Sequence, residues 1–343
     1  MPDPVAPLLT TYGSAAYRAM MKFLPSADPE SDVQRYLYGP LGDYPQRRGK
    51  LIRASLCIAA SCAHNGKMAD ALNTAVAIEF LHNATLVHDD FEDGALTRRG
   101  DRALHEKYGD ELAVNAGDAL FLLTLRPLLK NFDTLDMSLA ARLLTEFDWA
   151  GWQTVEGQAR ELGWCHYNRL DTSVTDYFTM AMKKTAWLGM ILPLRAGSLI
   201  ATGGAVDPNR FVDFGFHLGC LYQIANDIRN LVDPQHHDRS DILEGKRSLV
   251  LVHAIGKCTL REKDEINQIL RRPRPERTQE DALRIRDLIA KYDSIEFARS
   301  SAEAMAEAAS DAFVSTFGHL GPSPDKDFIL GLIGYFRSLA DMH

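Results

Sequence analysis

Apolar residues recur at intervals of three and four along most of this chain, and alternating apolar and polar runs are scarce. That spacing predicts helices and an all-α fold. A first helix is expected over 8–24, then a polar loop punctuated by Pro25, Pro29, Gly39, Pro40 and Pro45. The basic segment RRGKLIRASLCIAASCAH runs straight into the next helix, and residues 75–93 read as a long buried one, free of Pro and Gly until Gly94. Further helices are expected over 105–130, 137–166 and 173–201, across GFHLGCLYQIANDIRNLVD, and from about 259 onward, where RRPRPERT and GPSPDK separate them. Gly117 inside a helix predicts close packing on a neighbour, since glycine there costs about 1 kcal/mol relative to alanine. Thr278 with Asp281 matches a capping box.

Two helices carry polar stripes. Glu79, His82, Leu86, Asp89 and Asp93 are three or four apart and share one face. Carboxylates four apart repel by about a few tenths of a kcal/mol in water, and by more beside apolar surface, so a cation is expected there. Asp89, Asp90 and Asp93 offer hard oxygen ligands at a helix end, which suits Mg²⁺ shared with substrate phosphates. Arg98 and Arg99 follow with the fork geometry that phosphate oxygens prefer, so the stretch describes a diphosphate site. A solvated charged helix end is the plain alternative; the stripe's continuation inward to His82 and Glu79 tells against it.

Lys50 and Arg53, three apart where a helix begins after Gly49, form a second candidate anion site. Lys183, Lys184 and Thr185 interrupt an apolar helix; a lysine there needs an anion or a carboxylate, and one of the two is expected to snorkel to solvent. The second stripe comprises Phe216, Gly219, Gln223, Asn226, Asn230 and Asp233, with Asp227 one turn beyond Gln223. The polar segment beyond it carries Asp238, Asp241, Lys246 and Arg247, and its adjacent His236 and His237 lack metal-ligand spacing.

Composition narrows the class. Hydrophobic residues at 46% and charged residues at 24% describe a soluble globular chain, and with no linker in sight residues 1–343 are expected to form a single domain. A net charge of −8 argues against a nucleic-acid partner. The five cysteines form no CxxC pair and read as buried thiols of a reducing cytosol. No secretory signal opens the chain, and the apolar stretch 190–206 is interrupted by Pro193, Arg195 and a glycine pair, so a cytoplasmic protein without a membrane span is expected.

Over roughly residues 45–255 the ordered motifs resemble the all-trans isoprenyl diphosphate synthases. The family's DDxxD falls on Asp89, Asp90 and Asp93, which implies Mg²⁺ ligands for an allylic diphosphate. Arg98 is implied for that diphosphate, and Arg99, Lys50, Arg53 and His82 for isopentenyl diphosphate. The family's KT pair matches Lys184 and Thr185, its FQ reads Tyr222 and Gln223, and the lysine of GDxxEGKxT falls on Lys246. The resemblance implies an isoprenoid synthase fold, a bundle of mostly antiparallel helices around a deep central cavity, and a homodimer.

The implied reaction is Mg²⁺-assisted ionisation of the allylic diphosphate, helped by Arg98, Lys184 and Lys246, then attack by the isopentenyl double bond. Asp89, Asp93 and Asp227, with Asn226 as a carbonyl donor, are the implied metal ligands. Ala84 and Thr85 lie about 6–7.5 Å deeper along the helix than Asp89, and neither is an aromatic plug, so a product beyond fifteen carbons is expected. The second DDxxD departs from the family and reads NDIRN, and the basic glycine-containing segment before GD has become PQHHDRSD. Each lost carboxylate weakens attraction to a cation by about 4 kcal/mol at 4 Å and an effective dielectric of 20.

Two other readings stand beside elongation. Asn226-Asp227 resembles the start of the class I terpene cyclase motif NDxxSxxxE, although Asn230 takes the serine position and Pro234 the acidic one. A non-catalytic subunit that modulates an active synthase is the third.

Overall fold

The computed structural model describes residues 4–232 and 241–341. Expectations for Asp233, Pro234, His236, His237 and Asp238 lie outside the described residues. In chain order the helices are α1 (Ala6–Met21), α2 (Gly39–Gln46), α3 (Ile52–Ala63), α4 (Met68–Glu92), α5 (Leu104–Tyr108), α6 (Asp110–Lys130), α7 (Met137–His166) and α8 (Val174–Ala181). They continue as α9 (Leu192–Ala201), α10 (Val212–Val232), α11 (Asp241–Glu244), α12 (Leu249–Lys257), α13 (Leu260–Arg271), α14 (Gln279–Lys291), α15 (Ser294–Phe317) and α16 (Pro324–Ala340). Among the described residues the strands are β1 (Thr97–Arg98) and β2 (Asp101–Arg102), one antiparallel hairpin, so the fold is all-α as expected. The chain gathers into two compact units: unit 1 holds 1–149, 192–211 and 319–331, and unit 2 holds 150–191, 212–318 and 332–343.

Three local expectations need correcting. The proline-rich stretch read as a loop is helical from Gln34, first as a π-helix (Gln34–Tyr38) and then as α2. Pro40 sits in the first turn of α2, where its missing N–H costs nothing, and burial of Leu41 and Tyr44 in the unit 1 core supplies the stability that propensity lacks. The helix expected over 105–130 breaks at Gly109, whose φ of +90° separates α5 from α6. Between α8 and α9, Met182–Ile191 winds as a π-helix. Pro193 has no N–H to return to the carbonyl one turn back and its ring crowds it, so wider turns ahead of it relieve the clash.

The core of unit 1 is the packing of α4 on α6, where Val76, Phe80, Ala84 and Val87 meet Ala113, Ala116, Leu120 and Leu123. Gly117 lies at this contact as expected: a Cβ there would come 2.3 Å from His88 Nε2 and 3.3 Å from Val87 Cγ1. One stretch among the described residues, Asp110–Asp133, is long and apolar enough to cross a membrane by length and composition; 44% of its apolar window is buried, largely by this packing.

In unit 2, α10 packs on α15, with Phe214 edge-on to Phe313 and Phe317, and on the π-helix. Gly219 permits that approach, since a Cβ there would lie 2.4 Å from the Cβ of Ala186. Gly157 on α7 does the same for the turn bearing Lys184: its Cβ would meet the Lys184 backbone nitrogen at 2.2 Å. Because backbone cannot swing aside as a side chain can, Gly157→Ala is expected to cost about 1–3 kcal/mol, read as a lower denaturation midpoint. An unchanged midpoint would show that α7 can back away.

Candidate active site

In unit 1 the site grows from the end of α4. Asp89 and Asp93 are one turn apart, with Asp93 N bonded to the Asp89 carbonyl at 2.9 Å, and both side chains are half-buried. Gly94, at φ +60°, stops the helix, and Ala95 N reaches back to the Asp90 carbonyl at 2.8 Å. The hairpin follows at once. Arg99 (φ 51°) and Gly100 (φ 82°) form its two-residue turn, with Arg98 opposite Asp101.

Asp90 points the other way. It is 1% exposed, and Arg98 Nε bonds both of its carboxylate oxygens at 3.0 and 2.9 Å while Tyr44 Oη donates to Oδ2 at 2.5 Å. Its carboxylate is thereby committed to positioning Arg98, which departs from its expected role as a free oxygen ligand.

Arg99 donates through Nη1 to the Tyr44 carbonyl at 2.8 Å and to Asn83 Oδ1 at 3.1 Å. Asn83 is held in turn by the Glu79 carbonyl at 2.7 Å, and the Glu79 carboxylate accepts from Ala54 N at 3.0 Å at the start of α3. The Arg99 guanidinium lies flat against Gly49, where a Cβ would fall 2.8 Å from Nη2. Arg48 (φ 46°) and Leu51 (φ 56°) also adopt left-handed backbone, so strain gathers around Lys50 and Arg53. Arg53 Nε is buried without a hydrogen-bond partner among the described residues. Desolvation, then Arg53 and Arg99, hold His82 well below the ordinary histidine range, so its ring is neutral. Burial raises Glu79, opposed by the same two arginines. Of the four residues expected to serve one ligand, Arg53, His82 and Arg99 therefore meet in one cationic corner, and Lys50 follows in the chain directly after Gly49, against which Arg99 packs.

Thr85 is half-buried and turns its hydroxyl to the His82 carbonyl at 2.8 Å. Ala84 is fully buried in the α4–α6 core beside Phe80.

Unit 2 holds a second group of the residues singled out in the sequence. Both lysines of the π-helix pair with acids of α7: Lys183 reaches the exposed Glu156 at the surface, as expected of a lysine that snorkels, and Lys184 pairs with the buried Glu161. Thr185 donates to Gln223 Oε1 at 2.6 Å, and Gln223 Nε2 donates to Asp227 Oδ1 at 2.9 Å. Asp227 Oδ2 accepts from Tyr177 Oη at 2.7 Å and Leu249 N at 3.0 Å. Burial raises the Asp227 carboxyl to about 6 against the hydrogen bonds that favour its charge. Asn230 donates to Asp241 Oδ1 at 2.6 Å, and Lys246 lies 3.2 Å from Glu244 and 4.0 Å from Asp241.

Among the described residues, no set of three or more His, Cys, Asp or Glu side chains is gathered to hold a metal by itself. Asp89 and Asp93 nonetheless fit Mg²⁺, a hard cation that keeps several waters and takes other ligands from phosphate. Asp227 fits poorly: it is 5% exposed and three donors already satisfy it, which argues against the ligand role expected for it. Asn226, half-buried and engaged by no side-chain hydrogen bond among the described residues, keeps a carbonyl oxygen for that purpose.

Sequence reading passed over Tyr44, Tyr177, Glu161 and Asn83. Tyr44 fell inside the supposed loop, and nothing local marks Tyr177 or Glu161 as partners of Asp227 and Lys184. Asn83, four residues after Glu79, was detectable as part of the stripe.

The family model for polyprenyl synthetase matches residues 34–287. A short chain isoprenyl diphosphate synthase of Methanothermobacter thermautotrophicus is 32% identical over 226 residues, 65% of this chain and 68% of the relative. A geranylgeranyl diphosphate synthase of Saccharolobus solfataricus is 30% identical over 254 residues, 73% and 75% of the two chains. The crystal structure of geranylgeranyl pyrophosphate synthetase from Pyrococcus horikoshii superposes with a TM-score of 0.82 at 26% identity, covering 96% of this chain and 98% of that one. With three quarters of its length matched by one family and the fold shared throughout, the chain belongs to the polyprenyl synthetases.

Proposed function

We propose that this chain condenses an allylic prenyl diphosphate with isopentenyl diphosphate, in a Mg²⁺-dependent reaction, to a prenyl diphosphate of more than fifteen carbons. As a member of its family it is an isoprenyl diphosphate synthase, a transferase. The observation that carries elongation over cyclisation is the cationic corner of unit 1. Arg99 is anchored against Gly49, Arg53 has a buried donor to spare, and His82 is neutral beside them. A cyclase binds one diphosphate and has no use for a second such corner.

Asp89 and Asp93 would hold Mg²⁺, whose charge favours departure of the diphosphate from the allylic carbon. Arg98, fixed by Asp90, would bind that diphosphate and keep its orientation through the charge shift. In unit 2, Lys184 and Lys246 would counter charge on the leaving oxygens, and the carbonyl of Asn226 is the donor left for a further cation. Lys50, Arg53, His82 and Arg99 would hold isopentenyl diphosphate so that its double bond is presented to the allylic carbon. The carbon–carbon bond forms as the allylic carbon–oxygen bond is lost, and the released diphosphate takes the proton that leaves the isopentenyl unit. That the two units serve one catalytic domain is part of this proposal.

The test is incubation with Mg²⁺ and geranyl, farnesyl or geranylgeranyl diphosphate, each with and without isopentenyl diphosphate, and mass spectrometry of the products. Longer diphosphates that require isopentenyl diphosphate are expected. A hydrocarbon or alcohol formed without it would establish cyclisation. No turnover alone, with a changed product length when mixed with an active synthase, would establish a modulating subunit.

A homodimer belongs to the same reading, as does a reducing, cytosolic setting for five free cysteines. Leu122, Leu125 and Leu129 stand on the outer face of α6, 69%, 46% and 57% exposed, at three and four spacing. Such a stripe on a helix this apolar suits a second copy of the chain. Leu122→Glu with Leu129→Glu is expected to yield a folded monomer by light scattering; a persistent dimer would place the contact elsewhere.

A further inference from the structure

Tyr44 is fully buried on α2, yet its polar atoms reach Arg99 of the hairpin directly and Arg98 through Asp90. Its hydroxyl donates to Asp90 Oδ2 at 2.5 Å and accepts from Leu104 N at 3.1 Å, while its backbone carbonyl accepts from Arg99 Nη1 at 2.8 Å. The Arg47 guanidinium lies 4.9 Å from its ring centre, and Arg47 Nη1 donates to the Arg98 carbonyl at 2.8 Å. Burial and the Asp90 carboxylate keep the phenol protonated, so it acts as the donor to Asp90.

Two routes therefore leave one residue. The hydroxyl fixes the plane of the Asp90 carboxylate, which must be set if Arg98 is to meet both oxygens in its fork. The carbonyl fixes Arg99 independently of any side-chain chemistry at position 44. We propose that Tyr44 is a positioning residue that sets Arg98 through its hydroxyl and Arg99 through its carbonyl, so that the hydroxyl governs binding of the allylic diphosphate alone. A phenylalanine would fill the same space, so packing does not require the hydroxyl; the carboxylate and amide it bridges do.

The assignment of one diphosphate to each arginine rests on the function proposed above, and the experiment separates the two. Steady-state kinetics of Tyr44→Phe with Mg²⁺ should show KM for the allylic diphosphate raised about tenfold, with KM for isopentenyl diphosphate changed by less than about twofold, as expected for one hydrogen bond to a charged group. Equal rises in both KM values, a loss confined to kcat, or no change would overturn the proposal. Should Tyr44→Phe fold poorly, Asp90→Asn tests the same route: it should give the same split, whereas equal effects on both substrates would overturn it. Where both variants fold, their effects should be non-additive. If the wild-type protein elongates nothing, the functional reading falls and calorimetric titration with Mg²⁺ and inorganic diphosphate decides for Tyr44. Affinity weakened about tenfold in Tyr44→Phe would uphold the positioning role, and unchanged affinity would end it.

Discussion

Asp89→Ala should lower kcat/KM for prenyl transfer by more than about a thousandfold, the scale expected when a group that helps carry transition-state charge is removed. The carboxylate is half-buried at the end of α4, one turn from Asp93, where it can reach a cation shared with substrate phosphates. Alanine is a good helix former, so the variant should keep a native helical circular dichroism spectrum. The comparison with Asp90 is informative. Asp90→Ala would strip Arg98 and Tyr44 of their shared partner and leave a buried phenol and a half-buried guanidinium unpaired, so stability should fall along with activity. Full turnover by the Asp89 variant would sink the assignment of a diphosphate–metal site to this helix end.

For Asp227→Ala the larger effect should be on stability. The substitution leaves Tyr177 Oη, Gln223 Nε2 and Leu249 N without their acceptor, each inside unit 2. An orphaned buried donor costs about 1–3 kcal/mol, and part of the sum returns because a buried carboxylate is also removed, so a net loss of about 3–5 kcal/mol is expected. Chemical denaturation followed by circular dichroism measures it. Asp227→Asn keeps an acceptor oxygen and should lose roughly half as much. If instead Asp227→Ala unfolds like the wild type and raises the Mg²⁺ concentration needed for activity, Asp227 is a ligand after all. Asn226→Asp complements this test. A gain in elongation would mean that a carboxylate there improves cation binding, whereas loss of the existing product would mark Asn226 as adapted to this chain's chemistry.

The candidate site of unit 1 was legible because it is local. Asp89, Asp93, Arg98 and Arg99 fall within eleven positions, and the three-and-four spacing of Glu79, His82 and Asp89 shows the face by itself. What was missed there is the support. α2 was hidden by Pro40 and Pro45, since prolines signal a loop unless burial of residues such as Tyr44 outweighs their poor propensity.

By itself, the sequence determined that the chain is all-α, that one long helix ends in a cluster of carboxylates, and that two arginines follow them. Those features depend on helical periodicity and on residues at most a few turns apart. Only the tertiary structure decided what individual carboxylates do. Asp90 is claimed by a tyrosine 46 positions earlier, and Asp227 by one 50 positions earlier and an amide 22 positions later. A motif specifies which charged groups are present. Whether each faces a ligand or is held in the interior depends on which distant donors the fold brings to it, and a buried carboxylate takes those partners because its desolvation is otherwise uncompensated.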